Sequence, residues 1–239
     1  MTGAVWRLQW AVALRRRRLL LWNLLVPALL LVPVALSGAA AVHKAVVFTL
    51  FFAFFGAYGS CIPLIRDGGS GWAEKVLLTG YGARPWLVER LLASAALDWA
   101  QLVPVTLVLV WLASGSPTDT AAILTAQAVA LLFANLLGIA VAAVVKSLAE
   151  AALGCAIVCL VALHLAGVFR APTVGTWAET ASQLSPFRPL LEVWRSTLRD
   201  GITGLSVSWL PPLALAAALA LFVLAAGVIG RRTAENRAV

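Results

Sequence analysis

Six stretches of this chain are apolar over lengths close to the thickness of a bilayer: Leu19–Leu36, Ala45–Ile65, Leu91–Ala113, Ala121–Val145, Ala151–Phe169 and Trp209–Ile229. A crossing helix needs about 20 apolar residues and a barrel strand about 10, so these lengths select helices. Backbone groups within hydrocarbon must bond inside their own segment, which excludes open sheets and irregular structure there. The expectation is an all-α polytopic membrane protein with six transmembrane helices. It forms one transmembrane domain over residues 1–239. The longest piece between spans, residues 170–208, is too short to hold a globular core without disulfides or metal.

Charge then sets the orientation. Only 12% of the residues are charged, against 62% that are apolar, yet the net charge is +8. In a soluble chain such an excess points to nucleic acid. Here it is expected to mark the cytoplasmic ends of the spans, and no nucleic-acid partner is expected. With the N-terminus inside, Arg7, Arg15, Arg16, Arg17, Arg18, Arg66, Lys75, Arg84, Arg90, Lys146, Arg231, Arg232 and Arg237 fall on the cytoplasmic side. Lys44, Arg170, Arg188, Arg195 and Arg199 fall outside. Six spans then return the C-terminus to the cytoplasm, and both termini are placed there. Inverting the chain strands the four consecutive arginines outside.

Between the spans lie three pieces with character of their own. Residues 1–18 place Trp6 and Trp10 beside Arg7, a composition suited to an interfacial basic helix. Arg15, Arg16, Arg17 and Arg18 anchor it, each gaining about 1 kcal/mol beside an anionic leaflet. In region 66–90, Arg66 to Gly71 is expected to form a turn with Ser70 as helix cap. A short helix follows over Trp72 to Thr79, with Trp72, Val76 and Leu77 apolar beside Glu74 and Lys75. Gly80-Tyr81-Gly82 breaks it, and a second helix starting near Pro85 runs straight into span three. Such a helix is either a lever through which a soluble partner pushes on the membrane part or a connecting loop lying on the headgroups. In 170–208, Leu190 to Leu198 repeats apolar residues at helical spacing and is expected to give short amphipathic helices capping the outer mouth.

Within the spans, Pro27 and Pro33 are expected to kink span one. Gly56, Gly59 and Ser60 allow close helix approach in span two. Asp98 stands about two turns into span three, with Ser94 and Gln101 on its face, and an isolated charge there needs a partner. It is either a structural clasp at the cytoplasmic end or part of a substrate path. Asn23, Gln127 and Asn135 are expected to be interhelical hydrogen-bond partners. Cys61, Cys155 and Cys159 lie in apolar stretches and are expected to be buried thiols, and no metal-ligand spacing occurs. No G-x-x-x-x-G-K-[ST] phosphate loop exists, so the chain has no ATP site of its own.

Taken together, the basic N-terminal helix, six spans with both ends inside, Arg66-Asp67-Gly68 leading to Glu74 and Leu77-Leu78-Thr79, Arg90-Leu91-Leu92 opening span three, and Ser185-Pro186-Phe187 with Arg195 before span six resemble the transmembrane subunit of a type-2 ABC export permease. That resemblance implies a coupling helix, here Trp72, Glu74, Lys75, Val76, Leu77 and Leu78, docking on a separate ATPase subunit. It implies two ATPase copies that bind ATP and magnesium, and a second permease subunit, identical or homologous. No cofactor is expected in this chain itself. The implied function is outward transport of an apolar or amphiphilic substrate through a multi-pass protein of the cell membrane. The excess of Arg over Lys fits a bacterial plasma membrane. Phe51, Phe55 and Tyr58, with Asp98, are the expected substrate-path residues. Competing classes are a membrane-embedded lipid-modifying enzyme, which needs clustered catalytic side chains, and an ion-coupled secondary carrier, in which Asp98 titrates.

Overall fold

The computed structural model describes residues 3–113, 115–199, 214–215, 217–219, 221–222 and 225–226; the side chains of Ala4, Trp72, Ala73 and Glu74 lie outside the described set. Regular structure among the described residues is helical. The chain runs α1 (Ala4–Arg15), α2 (Arg17–Leu36), α3 (Ala41–Gly69), α4 (Trp72–Leu78), α5 (Ala83–Leu112), α6 (Pro117–Val144), α7 (Leu148–Leu165), α8 (Trp177–Leu184) and α9 (Phe187–Thr197). Helices α2, α3, α5, α6 and α7 are long and apolar enough to cross a membrane, and they correspond to the first five expected spans. The sixth, Trp209–Ile229, falls largely outside the described residues, as do Arg231, Arg232 and Arg237; Phe222 and Ala226 within it are buried in a cluster that also holds residues of α1, α3, α5, α6 and α7.

Several helices outrun their apolar stretches because polar ends are satisfied locally. The first turn of α6 is added by a capping box: Ser116 Oγ accepts from Asp119 N at 3.1 Å, Asp119 Oδ2 accepts from Ser116 N at 2.7 Å, and Pro117 stands at the first helical position. Helix α3 continues through the expected turn as far as Gly69. Ser70 does not cap the next helix: its hydroxyl donates back to Asp67 O at 2.9 Å, and Gly71, at φ 68°, makes the break instead. Pro27 and Pro33 both sit inside α2, as expected.

The core forms where small residues let helices close in. Helix α3 packs most extensively on α6. A Cβ on Gly56 would stand 2.9 Å from Ala134 Cβ, and one on Gly138 would meet the Ala57 carbonyl. On the next face of α3, Cys159 Sγ donates to Ala53 O at 3.7 Å and Cys155 Sγ lies 3.9 Å from Ala57 O, so the three buried thiols belong to the α3–α7 seam. The expected polar pairs are present. Asn23 Nδ2 donates to Gln101 Oε1 at 3.1 Å, Thr106 Oγ1 donates to Gln127 Oε1 at 2.8 Å, and Asn135 Nδ2 donates to Asp98 Oδ2 at 2.9 Å.

Helices α8 and α9 correct the expected cap. Phe187, at the start of α9, meets Phe133 with centroids 5.6 Å apart. Phe133 lies about 24 Å from the Pro117 end of α6 and about 16 Å from its Val144 end, near mid-height. From there α9 climbs. Trp194 packs on Phe48 at 4.9 Å and on Phe52 at 6.5 Å, and Thr197 comes to rest beside Gly115 in the α5–α6 loop. Instead of lying across the mouth, α9 packs into the bundle, while α8 is tied by Ser182 Oγ to Ala166 O at the end of α7. The physical reason is length: the 18 residues of α7 rise only about 27 Å, while the 28 of α6 rise about 42 Å, which leaves an opening that α9 fills with Phe187, Leu190, Leu191 and Trp194.

Candidate functional site

Where α3 ends and α5 begins, the chain builds a junction around the short helix α4. Gly71 starts α4 in a left-handed conformation, and Gly80 follows its end at φ 80°, so glycine brackets the helix on both sides. From Ala83 onward α5 is continuous into the membrane, with Trp86 and Leu87 fully buried in the cluster that also holds Leu64, Cys61 and Ile139. A displacement of α4 therefore reaches a rigid rod after a hinge of a few residues.

Two consecutive residues of α5 tie this rod to its neighbours. Arg90 Nη2 pairs with Asp67 Oδ2 at 2.6 Å, with the arginine side chain 7% exposed and the aspartate 30%. That bond clamps the end of α3 to the first turns of α5. Glu89 reaches the other way: its carboxylate accepts from Gly3 N and Val5 N, both at 3.2 Å. Helix α1 has no side-chain cap of its own, so Glu89 supplies acceptors and negative charge to its exposed amides from 84 and 86 residues away. Val5 is buried beneath this contact.

The expected coupling residues divide by exposure. Leu78 is 78% exposed and Lys75 is also exposed, whereas Val76 and Leu77 are half-buried, Val76 against the inner cluster. Trp72 and Glu74 lie on α4, but their side chains are outside the described set. Arg15, Arg16, Arg17 and Arg18 are exposed at the break between α1 and α2, where Arg16 ends one helix and starts the next.

The four expected path residues are not brought together. Phe51, Phe55 and Tyr58 are half-buried at helical spacing on α3, with Phe51 and Phe55 rings 5.9 Å apart. Tyr58 stacks on Phe54, also at 5.9 Å, and donates to Ala152 O at 2.8 Å, which fixes it to the start of α7. Asp98 sits on a different side of α3, pressed on Gly59, where a Cβ would meet its carboxylate. Asn135 joins three helices there. Its Nδ2 donates to Asp98 Oδ2 and to Leu131 O, each at 2.9 Å, and its Oδ1 accepts from Ser60 Oγ.

Asp98 stands near the middle of α5, about 22 Å from either end, because the helix begins eight residues before the apolar stretch, and it keeps its place about two turns into that stretch. The partner it needs is Asn135 in α6, while Gln101 turns to Asn23. Sequence reasoning missed the Glu89 cap. The pair Glu89-Arg90 just ahead of an apolar run was the one visible sign of it, and a cap supplied from so far along the chain leaves no local pattern.

The described residues contain no cluster of His, Cys, Asp or Glu able to hold a metal. What they present is a rigid apolar bundle with a small, partly exposed helix hinged between two of its rods. No curated protein matches the chain. The family model described as ABC-2 type transporter matches residues 2–198, the junction and helices α8 and α9 included. The chain is a multi-pass permease component of an ABC transporter and belongs to the ABC-2 type transporter family.

Proposed function

We propose that this chain exports an amphiphile across a bacterial plasma membrane, driven by a separate ATPase subunit that docks on α4. The carrying observation is the junction itself: an exposed Leu78 and Lys75 on a short helix, bracketed by glycine hinges, beside rods tied by Arg90 and Asp67 at 2.6 Å. Two ATPase copies, each binding ATP and magnesium, serve two permease copies, identical or homologous. Their closure moves α4. The Asp67–Arg90 pair makes α3 and α5 follow together, and Glu89 carries α1 with them. Movement requires a difference in interaction energy between two states, and ATP binding to the partner provides it.

The N-terminus, α4 and the C-terminus are on the cytoplasmic side, and Arg15, Arg16, Arg17 and Arg18 hold α1 at the headgroups. Trp72, Glu74, Val76 and Leu77 complete the docking helix. Phe51, Phe55 and Tyr58 line the path, and Asp98 supports it from within the bundle. The test is reconstitution with the ATPase that co-purifies with the chain. The expected result is ATP-dependent movement of an amphiphile out of the compartment that contains ATP, abolished by Leu78→Asp with membrane insertion unchanged. Transport by the purified chain without ATP, or normal coupling in Leu78→Asp, overturns the reading.

A further inference from the structure

Helix α7 is too short for the layer it crosses. It follows α6 after a three-residue turn, so the two helices leave the same membrane face at one level. The apolar part of α7, residues 151–165, rises about 22 Å against a hydrocarbon thickness of about 30 Å, and any tilt only lowers it. Leu153, Ile157 and Val161 are exposed along it, so this side of α7 faces lipid. The 28 residues of α6 rise about 42 Å next to it. A span that falls about 8 Å short is met in one of three ways: the bilayer thins, flanking side chains reach up to the surface, or a second copy covers the gap.

What stands at the end of α7 selects among these. Gly167, at φ 75°, ends the helix, and Val168 N turns back to donate to Leu163 O at 3.1 Å. Residues 169–175 are irregular and mostly exposed. Irregular backbone open to lipid does not occur in hydrocarbon, so these amides need water. The chain does not carry that need away from α7, because Ser182 Oγ donates to Ala166 O at 2.9 Å and holds α8 at the same level. Arg188 Nη1 donates to that same hydroxyl at 3.2 Å, and its Nε donates to Glu192 Oε1 at 2.6 Å. An ion pair whose side chains are 31% and 42% exposed therefore stands at the end of α7 too, and exposed charge settles where water or headgroups reach it. Both ends of the Arg188 guanidinium are held, so the side chain does not reach up to a distant surface. Trp177, exposed at the start of α8, suits the headgroup boundary.

We propose that the bilayer is thinned beside α7 and α8: phospholipid headgroups of the adjoining leaflet, the outer one in the proposed orientation, descend by about 8 Å to the end of α7. There they and their water cover residues 169–175 and the Arg188–Glu192 pair. The partner of this face is bilayer lipid, and Trp177 lies among its headgroups. The thinning follows from the length of α7 and from where exposed polar groups begin, so it needs neither an ATPase nor a substrate. It gives the bundle one low wall, along which a headgroup meets water about 8 Å sooner than in the undisturbed bilayer.

The test compares two spin labels at one height. Leu165 stands about 26 Å along α7 from the level it shares with the end of α6, and Ala128, exposed on α6, stands about 24 Å from that level. Leu165→Cys and Ala128→Cys are each labelled with a nitroxide in the full chain in phosphatidylcholine nanodiscs, with Cys61, Cys155 and Cys159 buried. Immersion depth is read from collisions with oxygen and with a water-soluble nickel chelate. The Leu165 label is expected at headgroup depth and the Ala128 label about 8 Å deeper. On passing from dimyristoyl to dioleoyl lipid, the Leu165 label keeps its depth while the Ala128 label sinks, because headgroups follow the end of α7. Phe169→Cys, placed on the exposed segment where the core is untouched, reports water contact in both lipids. Equal depths at Leu165 and Ala128, a Leu165 label that sinks with chain length, or a Phe169 label shielded from the chelate overturns the thinning. So does dipolar broadening between Leu165 labels, which marks a second copy over this face.

Discussion

Replacing Asn135 with alanine removes a side chain that joins α3, α5 and α6 through hydrogen bonds. Asn135 is fully buried, and its amide group donates to Asp98 and Leu131 while its oxygen accepts from Ser60. Two of these bonds are interhelical. Hydrogen bonds between membrane helices average about 0.6 kcal/mol and reach about 1.7, so losing two predicts about 1–3 kcal/mol. The upper part of that range is expected, because Asp98 is buried and loses the donor that Asn135 gives it. The assay is reversible unfolding in bicelles, with Asn135→Ala, Asp98→Ala and the double variant compared as a cycle. The coupling between the two sites is expected at about 0.6–1.7 kcal/mol. A single variant within about 0.3 kcal/mol of wild type, the scatter of independent sites, or additive single effects, refutes the three-helix tie.

Gly138→Ala drives a Cβ into the Ala57 carbonyl, which cannot yield without separating α3 from α6, and is expected to destabilise by about 1–3 kcal/mol. Gly154→Ala, whose nearest obstacle is the Val141 Cγ1 at 2.9 Å, gives a smaller loss, and thermal unfolding ranks the two. Asp67→Asn leaves Arg90 buried beside a neutral partner. Because Asp67 is 30% exposed, the stability loss stays near about 1 kcal/mol, below the 3–5 of a fully buried pair, while stimulated ATPase activity falls sharply. Exchanging the two residues restores part of that activity. Glu89→Gln removes the charged cap of α1 at about 0.5–2 kcal/mol, read as faster amide hydrogen exchange confined to α1.

What the sequence made legible was whatever the hydrocarbon dictates. The apolar lengths located α2, α3, α5, α6 and α7, and the isolated amides Asn23, Gln127 and Asn135 found interhelical partners as expected, since a lone polar group in lipid has few alternatives. Hydropathy marks the stretch in lipid and not the helix, so it misplaced the ends. Helix α5 starts at Ala83, ahead of its apolar run, so Asp98 is central in the helix while standing only about two turns into the apolar stretch. At Arg66–Gly71 the glycines read as a turn, yet Gly68 and Gly69 finish α3, where the Asp67 bond to Arg90 fixes the last turns. The amphipathic pattern of α9 was clear, but a polar face looks the same on a helix lying at the surface and on one dipping inward. The shortness of α7 and the fit of Phe187 on Phe133 decided between them, and neither is a local property.

The most direct measurement concerns Leu78. Cysteine placed there in reconstituted vesicles, with Cys61, Cys155 and Cys159 buried and silent, is probed with a membrane-impermeant maleimide from each side and with a short bifunctional crosslinker. The expected result is labelling from the cytoplasmic side alone, crosslinking to the ATPase subunit, and loss of that crosslink when the ATPase is omitted. Labelling from the outer side, or a crosslink pattern indifferent to the ATPase, contradicts a transport stroke delivered through α4.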